Sequence, residues 1–224
     1  MATYAGDISS CTKTNYARLG HASQSLIPKL LQQLLLFYEP TNKITNDCLN
    51  NSWLSNNLNA NEWIDIRKAN TDGYVDFDIP LIYKLLRNLN LISPPTRGWN
   101  PERGPELTET TIGDDLERFR ISRNDIFHRG NTNVSDRKLT EYFTQFKDIA
   151  QRLELVLNKE TNELVFEFQN LETCCMDGVS EQILANLAKK EKEYTLPNEI
   201  SGKVVIINEC YRWIIFTLVS IFIE

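Results

Sequence analysis

The sequence predicts an all-α fold, an antiparallel helical bundle followed by a partly ordered C-terminal extension. Three observations predict it. Apolar residues recur at steps of three, four and seven over residues 16–38 and again over 135–158, the period of amphipathic helices. A short polar residue of N-capping type precedes most of these stretches. The one stretch with a strand-like rhythm, Glu163–Phe168, alternates imperfectly and reads as either a strand or a frayed helix.

Composition sets the outer limits. A chain of 224 residues can bury one good core and carry a small appendage. Its 42% hydrophobic and 24% charged residues are ordinary for a globular domain, which excludes wholesale disorder. The 24 basic and 30 acidic residues leave a net charge of −6. A basic coat for nucleic acid is thereby excluded, and any phosphate site has to be local. Cys11, Cys48, Cys174, Cys175 and Cys210 form no C-x-x-C pair, and His21 and His128 supply no zinc spacing. Reduced thiols in a cytoplasmic protein, with no metal and no cofactor, are expected. Met1–Ser10 has neither the basic start nor the apolar run of a signal peptide, so none is expected.

The elements follow in order. Leu19, Leu26, Ile27, Leu30, Leu31, Leu34, Leu35 and Tyr38 build one apolar face, and Pro28 predicts a kink or a fresh helix start near Ser25. Residues 41–61 are asparagine-rich and read as a loop with short helical turns. Asn59 or Asn61 caps a short helix through Trp63, Ile64 and Ile66, and Asn70–Gly73 is a turn. Asp76 or Asp78 caps a helix with Pro80 in its first turn and Ile82, Leu85, Leu86 and Leu89 on its apolar face. The prolines of Ser93–Pro101 forbid regular structure, and the loop runs on to about Glu109, functional or pinned by Trp99. Thr111 with Asp114 three residues on opens a helix that ends near His128, with Gly130 as its stop. Ser135 caps the clearest helix, with Leu139, Tyr142, Phe143, Phe146, Ile149, Leu153 and Val156 on one face. Ser180–Glu193 suits a short helix. The apolar run Trp213–Ile223 is about half the ~20 residues that a membrane span needs. It reads as a segment that packs into a larger protein, or an aberrant end of the gene model, rather than a membrane contact.

Chemistry concentrates at Ile121–Gly130. At ~100° per residue Arg123 falls within ~20° of Leu116, inside the stripe of Ile112, Leu116, Phe119 and Phe127. A guanidinium there needs an anion or several acceptors, because its charge cannot be shed. Asn124 lies roughly 100° round and His128 about 140°, so convergence requires the helix to loosen near its end. Arg118, Arg120, Arg123 and Arg129 oppose only Asp125 within residues 118–129, a local surplus of basic charge in an acidic chain. The simpler reading is that acids at the start and bases at the end complement the helix macrodipole, with Asp114–Arg118 and Asp125–Arg129 as i,i+4 pairs.

Arg123, a polar residue, three further positions and His128 resemble the HEPN domain motif at its shortest spacing. Three further blocks resemble, in order, the animal HEPN subfamily found in the DAZ-interacting zinc-finger type of ubiquitin ligase. They are Asn15–Leu19, Asp76–Ile79 leading into Leu85–Leu89, and Pro94–Trp99. The resemblance covers about residues 12–160, which leaves 1–11 as an N-terminal tail, 161–203 as a linker or short helices and 204–224 as an apolar tail. Many members carry a glycine just before the histidine, where this chain has Phe127.

The resemblance implies a helical bundle that forms a homodimer with two motifs facing one cleft. It also implies RNA as a partner and, in ribonuclease members, metal-independent cleavage through the 2′-hydroxyl. On that pattern Arg123, Asn124 and His128 are the catalytic candidates, and the local charge adds Arg118, Arg120 and Arg129 as RNA-binding candidates. Members commonly occur in large proteins linked to ubiquitination or innate immunity. No RING cysteine set and no G-x-x-x-x-G-K loop is present in these residues. The alternative is a non-catalytic module for dimerisation or protein interaction, in which Arg123 holds a carboxylate.

Overall fold

Helix α1, Asp7–His21, runs into a π-helical turn, Ala22–Leu26, and then into α2, Ile27–Tyr38. The computed structural model describes residues 7–159 and 161–174, with side chains from residue 14. The break predicted near Ser25 is this π turn. Pro28 sits in the first turn of α2, where a missing N–H costs nothing because that group has no intrahelical partner. Leu30, Leu31, Leu34 and Leu35 all face inward and are fully buried.

The short helical turns expected within the loop over 41–61 are two short helices, α3 (Ile44–Asn50) and α4 (Ser52–Asn57). They hold through burial of Ile44, Cys48 and Leu54 rather than through an amphipathic period of their own. Helix α5, Ala60–Asp72, opens with a reciprocal capping box between Asn59 and Glu62. Gly73 ends it at φ +73°, a left-handed conformation that suits glycine. Helix α6, Ile79–Asn88, is capped by the Asp78 carboxylate, which accepts from the Leu81 amide at 2.9 Å.

The long proline-rich loop is pinned from three sides. Trp99 meets Tyr83 edge-on with ring centroids 5.5 Å apart, and the Arg87 guanidinium lies 5.6 Å from the Trp99 ring. Arg97 pairs with Glu106 and Glu109 within the loop itself. Helix α7, Ile112–Phe127, then presses its first turn against the loop. A Cβ on Gly113 would lie 2.5 Å from the Pro95 nitrogen and from the Ser93 carbonyl oxygen, so only glycine fits that approach.

Helix α8, Asp136–Val156, is capped by Ser135 and packs against both α1 and α7. The ambiguous segment at 163 is helical: α9, Glu163–Thr173, lies along α8 and buries Leu164, Phe168 and Leu171 at helical spacing. Phe146 on α8 is the hub of the core. Its ring centroid lies 5.9 Å from those of Phe119, Tyr142 and Phe143 and 5.8 Å from that of Phe168. Truncating such a ring to alanine costs about 3–5 kcal/mol.

Among the described residues the fold is all-α, as the periodicity predicts. No helix among them is long and apolar enough to cross a membrane. The predicted helix at 180–193 and the apolar tail 204–224 lie outside the described residues.

Candidate functional site

Helix α7 carries Arg118, Arg120, Arg123 and Asn124 of the predicted site, with His128 as its C-cap and Arg129 just beyond. Its first half is an acidic core segment. Asp114 is fully buried, and its carboxylate takes four hydrogen bonds, from the Thr96 and Thr111 amides and from both hydroxyls, at 2.7–3.0 Å. Desolvation works to raise the Asp114 carboxyl, but those donors outweigh it and hold it below the usual range. Asp115 and Glu117 are also buried. Glu117 accepts from the Tyr83 hydroxyl at 2.5 Å and the Asn100 amide at 3.1 Å. Burial first, and then the Glu117 carboxylate, pushes the Tyr83 hydroxyl well above its ordinary range.

These acids claim two of the arginines assigned to RNA. Arg118 has a side chain only 9% exposed. Its guanidinium donates to Asp115 at 2.9 Å and to the Glu106 and Glu109 carbonyls at 2.5 Å each, stapling the loop to α7. Arg120 gives its Nε and Nη2 to Glu117 Oε2 at 2.8 and 2.7 Å, and its guanidinium lies 5.8 Å from the Tyr83 ring. The expected Asp114–Arg118 pair does not form, because Asp114 turns back to the cap and Asp115 takes the arginine instead. Asp115 also receives Arg152 from α8 through two hydrogen bonds at 2.6 and 2.8 Å. The charge surplus read over 118–129 is thus largely offset by acids at 115 and 117.

The second half of α7 carries the motif. Arg123 is half-buried rather than sunk in the core. Its guanidinium carbon stands 5.1 Å from the Phe127 ring, one turn on, and its Nη1 donates to Asn124 Oδ1 at 3.3 Å. The arginine therefore lies half-buried over Phe127 at the end of the apolar stripe. Its charge also reaches Asp78, the cap of α6. Desolvation raises the Asp78 carboxyl, opposed by the Leu81 amide and then by Arg123.

The helix does not loosen at its end. The His128 amide donates to the Asn124 carbonyl at 2.8 Å, a regular helical bond, and His128 itself is the C-cap. The imidazole is exposed and makes no hydrogen bond to Arg123 or Asn124. Gly130 is not in the left-handed region, so the stop predicted there is supplied two residues earlier by His128. Arg129 turns to the following loop, with Nη1 4.0 Å from Asp125 Oδ2 and Nη2 donating to the Asn133 carbonyl at 3.4 Å.

Arg123, Asn124 and His128 thus occupy the last turn and cap of one helix, with Arg123 and Asn124 in contact and His128 reaching solvent. Phe127 and Asp78 join this neighbourhood without having been singled out as site residues. The signals were the i,i+4 spacing of Phe127 from Arg123 and the capping position of Asp78. Among the described residues no group of three or more His, Cys, Asp or Glu is placed to hold a metal ion.

The model of the DZIP3/hRUL138-like HEPN family matches residues 28–183, well over half of the chain. The chain belongs to this HEPN family. No curated protein and no solved structure matches it significantly. The HEPN assignment agrees with the all-helical architecture. The Asp76–Leu89 and Pro94–Trp99 blocks fall inside the matched span, Asn15–Leu19 lies before it, and all three serve the fold. From α1, buried Asn15 donates to the Val134 carbonyl and to Asp136, and accepts from Arg18. Arg18 in turn donates twice to the Cys174 carbonyl, at 3.0 and 2.5 Å. Asp78 caps α6, and the Pro94–Trp99 block is the pinned loop.

Proposed function

We propose that this HEPN domain binds RNA and acts as a metal-independent endoribonuclease, with Arg123, Asn124 and His128 at the site. The observation that supports it is the end of α7, where an exposed imidazole follows an arginine steadied by an aromatic ring and an asparagine. An imidazole moves protons near neutral pH, and it would take the proton from the RNA 2′-hydroxyl as that oxygen bonds to the neighbouring phosphorus. The P–O5′ bond then breaks to leave a 2′,3′-cyclic phosphate, and the departing 5′-oxygen takes a proton from water or an imidazolium. Arg123 would hold the charge that develops on the phosphorane. Asn124 would keep Arg123 in place or contact a phosphate oxygen. Arg129, near the same helix end, would add a phosphate contact, whereas Arg118 and Arg120 are committed to internal acids. Two copies facing one cleft would assemble the composite site.

The test is a single-stranded RNA binding and cleavage assay in a chelator. Binding should weaken steeply as salt rises, because phosphate contacts release counterions. His128→Ala should abolish cleavage and keep the fold, and Arg123→Ala should weaken binding as well. Unchanged cleavage by His128→Ala would overturn the catalytic role.

A second reading has its own support. With Arg118 and Arg120 neutralised in a chain of net charge −6, the domain serves as a non-catalytic dimerisation or protein-interaction module. Absence of RNA binding even at low salt would select it.

A further inference from the structure

The strongest unassigned feature is a polar cleft of about 350 Å³ remote in sequence from the α7 motif. Glu39, Asp47, Asn50, Asn51, Asn88 and Asn90 line it, and no lining residue is basic. The topology makes it electronegative beyond its two acids. Glu39 is the C-cap of α2, Asn50 ends α3 and Asn88 ends α6, so three helix C-termini open onto one space. Each such end carries roughly half a negative charge. Asn90, at φ +53°, turns the chain back beneath the end of α6, and Asn51 donates to the Asn88 carbonyl at 2.8 Å.

Glu39 supplies a second observation. It is 6% exposed, and its Oε1 is buried without a hydrogen-bond partner. An unmatched buried carboxylate oxygen costs a few kcal/mol unless a donor arrives. Burial first, and then the neighbouring Asp47 carboxyl, raises the Glu39 carboxyl, while the charge of Lys43 opposes them. A positively charged donor between the two carboxyls would relieve both terms at once.

We propose that this cleft binds an organic cation, an ammonium or guanidinium group held by Glu39 and Asp47 at the meeting point of the three helix ends. The space is far larger than a bare ion needs and lies at the small end of ordinary ligand sites. Asn50 and Asn90 add side-chain amides to the lining, while the Asn51 side chain and the Asn88 amide group are engaged within the fold. The two carboxyls provide four oxygens, enough for a forked guanidinium or a primary ammonium.

The experiment is a titration of the ¹⁵N-labelled full chain, following backbone and side-chain amides of Asn50, Asn88 and Asn90. Three probes are added separately: arginine amide, spermidine and calcium chloride. Arginine amide or spermidine should produce saturable shifts confined to the cleft. A preference for arginine amide identifies a protein side chain as the natural source, and a preference for spermidine identifies a free polyamine. Asp47→Asn, at a half-buried position that keeps the fold, should weaken binding by about tenfold or more. Glu39→Gln gives a second variant with the same expected direction. No saturable shift with either organic cation, equal binding by wild type and Asp47→Asn, or tighter binding of calcium would each overturn the proposal.

Discussion

Replacing Asp114 by asparagine isolates the charge at the joint between α7 and its loop. One acceptor oxygen is lost where three donors converge, the Thr111 amide and the Thr96 and Thr111 hydroxyls. The hydroxyls can rotate to accept from the new amide, but the backbone N–H cannot. The loss is a charged hydrogen bond in a buried place, the half of the capping box that the carboxylate makes, about 1.5–3 kcal/mol. A loss of about 2 kcal/mol lowers Tm by about 4–8 °C in a domain of this size. Urea unfolding followed by far-UV circular dichroism should show an earlier midpoint with an unchanged slope. The difference should also depend on pH with a definite sign. The folded-state carboxyl titrates below its unfolded value, so its stabilisation is present above the ordinary aspartate range and is lost as pH falls through the folded-state value. The gap between wild type and variant should therefore be full near neutral pH and close under strongly acidic conditions. A variant as stable as wild type at neutral pH, or a gap that widens on acidification, would refute the reasoning.

Gly113→Ala should destabilise by about 1–3 kcal/mol through overpacking against backbone atoms of Ser93–Pro95, measured by the same unfolding curve. Arg118→Ala should lower stability and loosen the 97–109 loop, seen as faster amide exchange there, while RNA affinity changes little. Cys48 is fully buried, and burial first, then the Asp47 and Glu39 charges, pushes its thiol up to about 12. Iodoacetamide at mildly alkaline pH should therefore label half-buried Cys174 well before Cys48 in the native chain, as read by mass spectrometry.

Features that depend on a few neighbouring residues were legible in the sequence. The caps at Thr111 and Ser135 were readable, and Asn59 and Asp78 each stood as one of two candidates, because a side chain bonds an amide two or three positions on. The bounds of α3 and α4 were not, since these helices are held by buried Ile44, Cys48 and Leu54 and show too few turns for a period. Helix α9 stayed ambiguous over Glu163–Phe168, because its third inward residue, Leu171, lies beyond the alternating stretch. At the site, position along α7 was readable but partnership was not. Counting charges from 118 onward omitted Asp115 and Glu117, which stand three residues before the arginines they neutralise. The direction of Arg123 depended on the Phe127 ring, an attraction that an apolar stripe does not express.

The clasp made by Asn15 and Arg18 has a consequence for biosynthesis. Their partners lie 119 to 156 residues downstream, so α1 leaves the ribosome long before anything it can hold exists. The α2–α6 segment can collapse first, on local contacts, while α1 waits as an uncommitted helix. Docking of α1 then becomes a late, non-local step that closes only after α8 and Cys174 have emerged. A chain stalled before residue 174 would leave Arg18 without the Cys174 carbonyl that it holds with two hydrogen bonds, so the joint stays half-made until that residue has emerged.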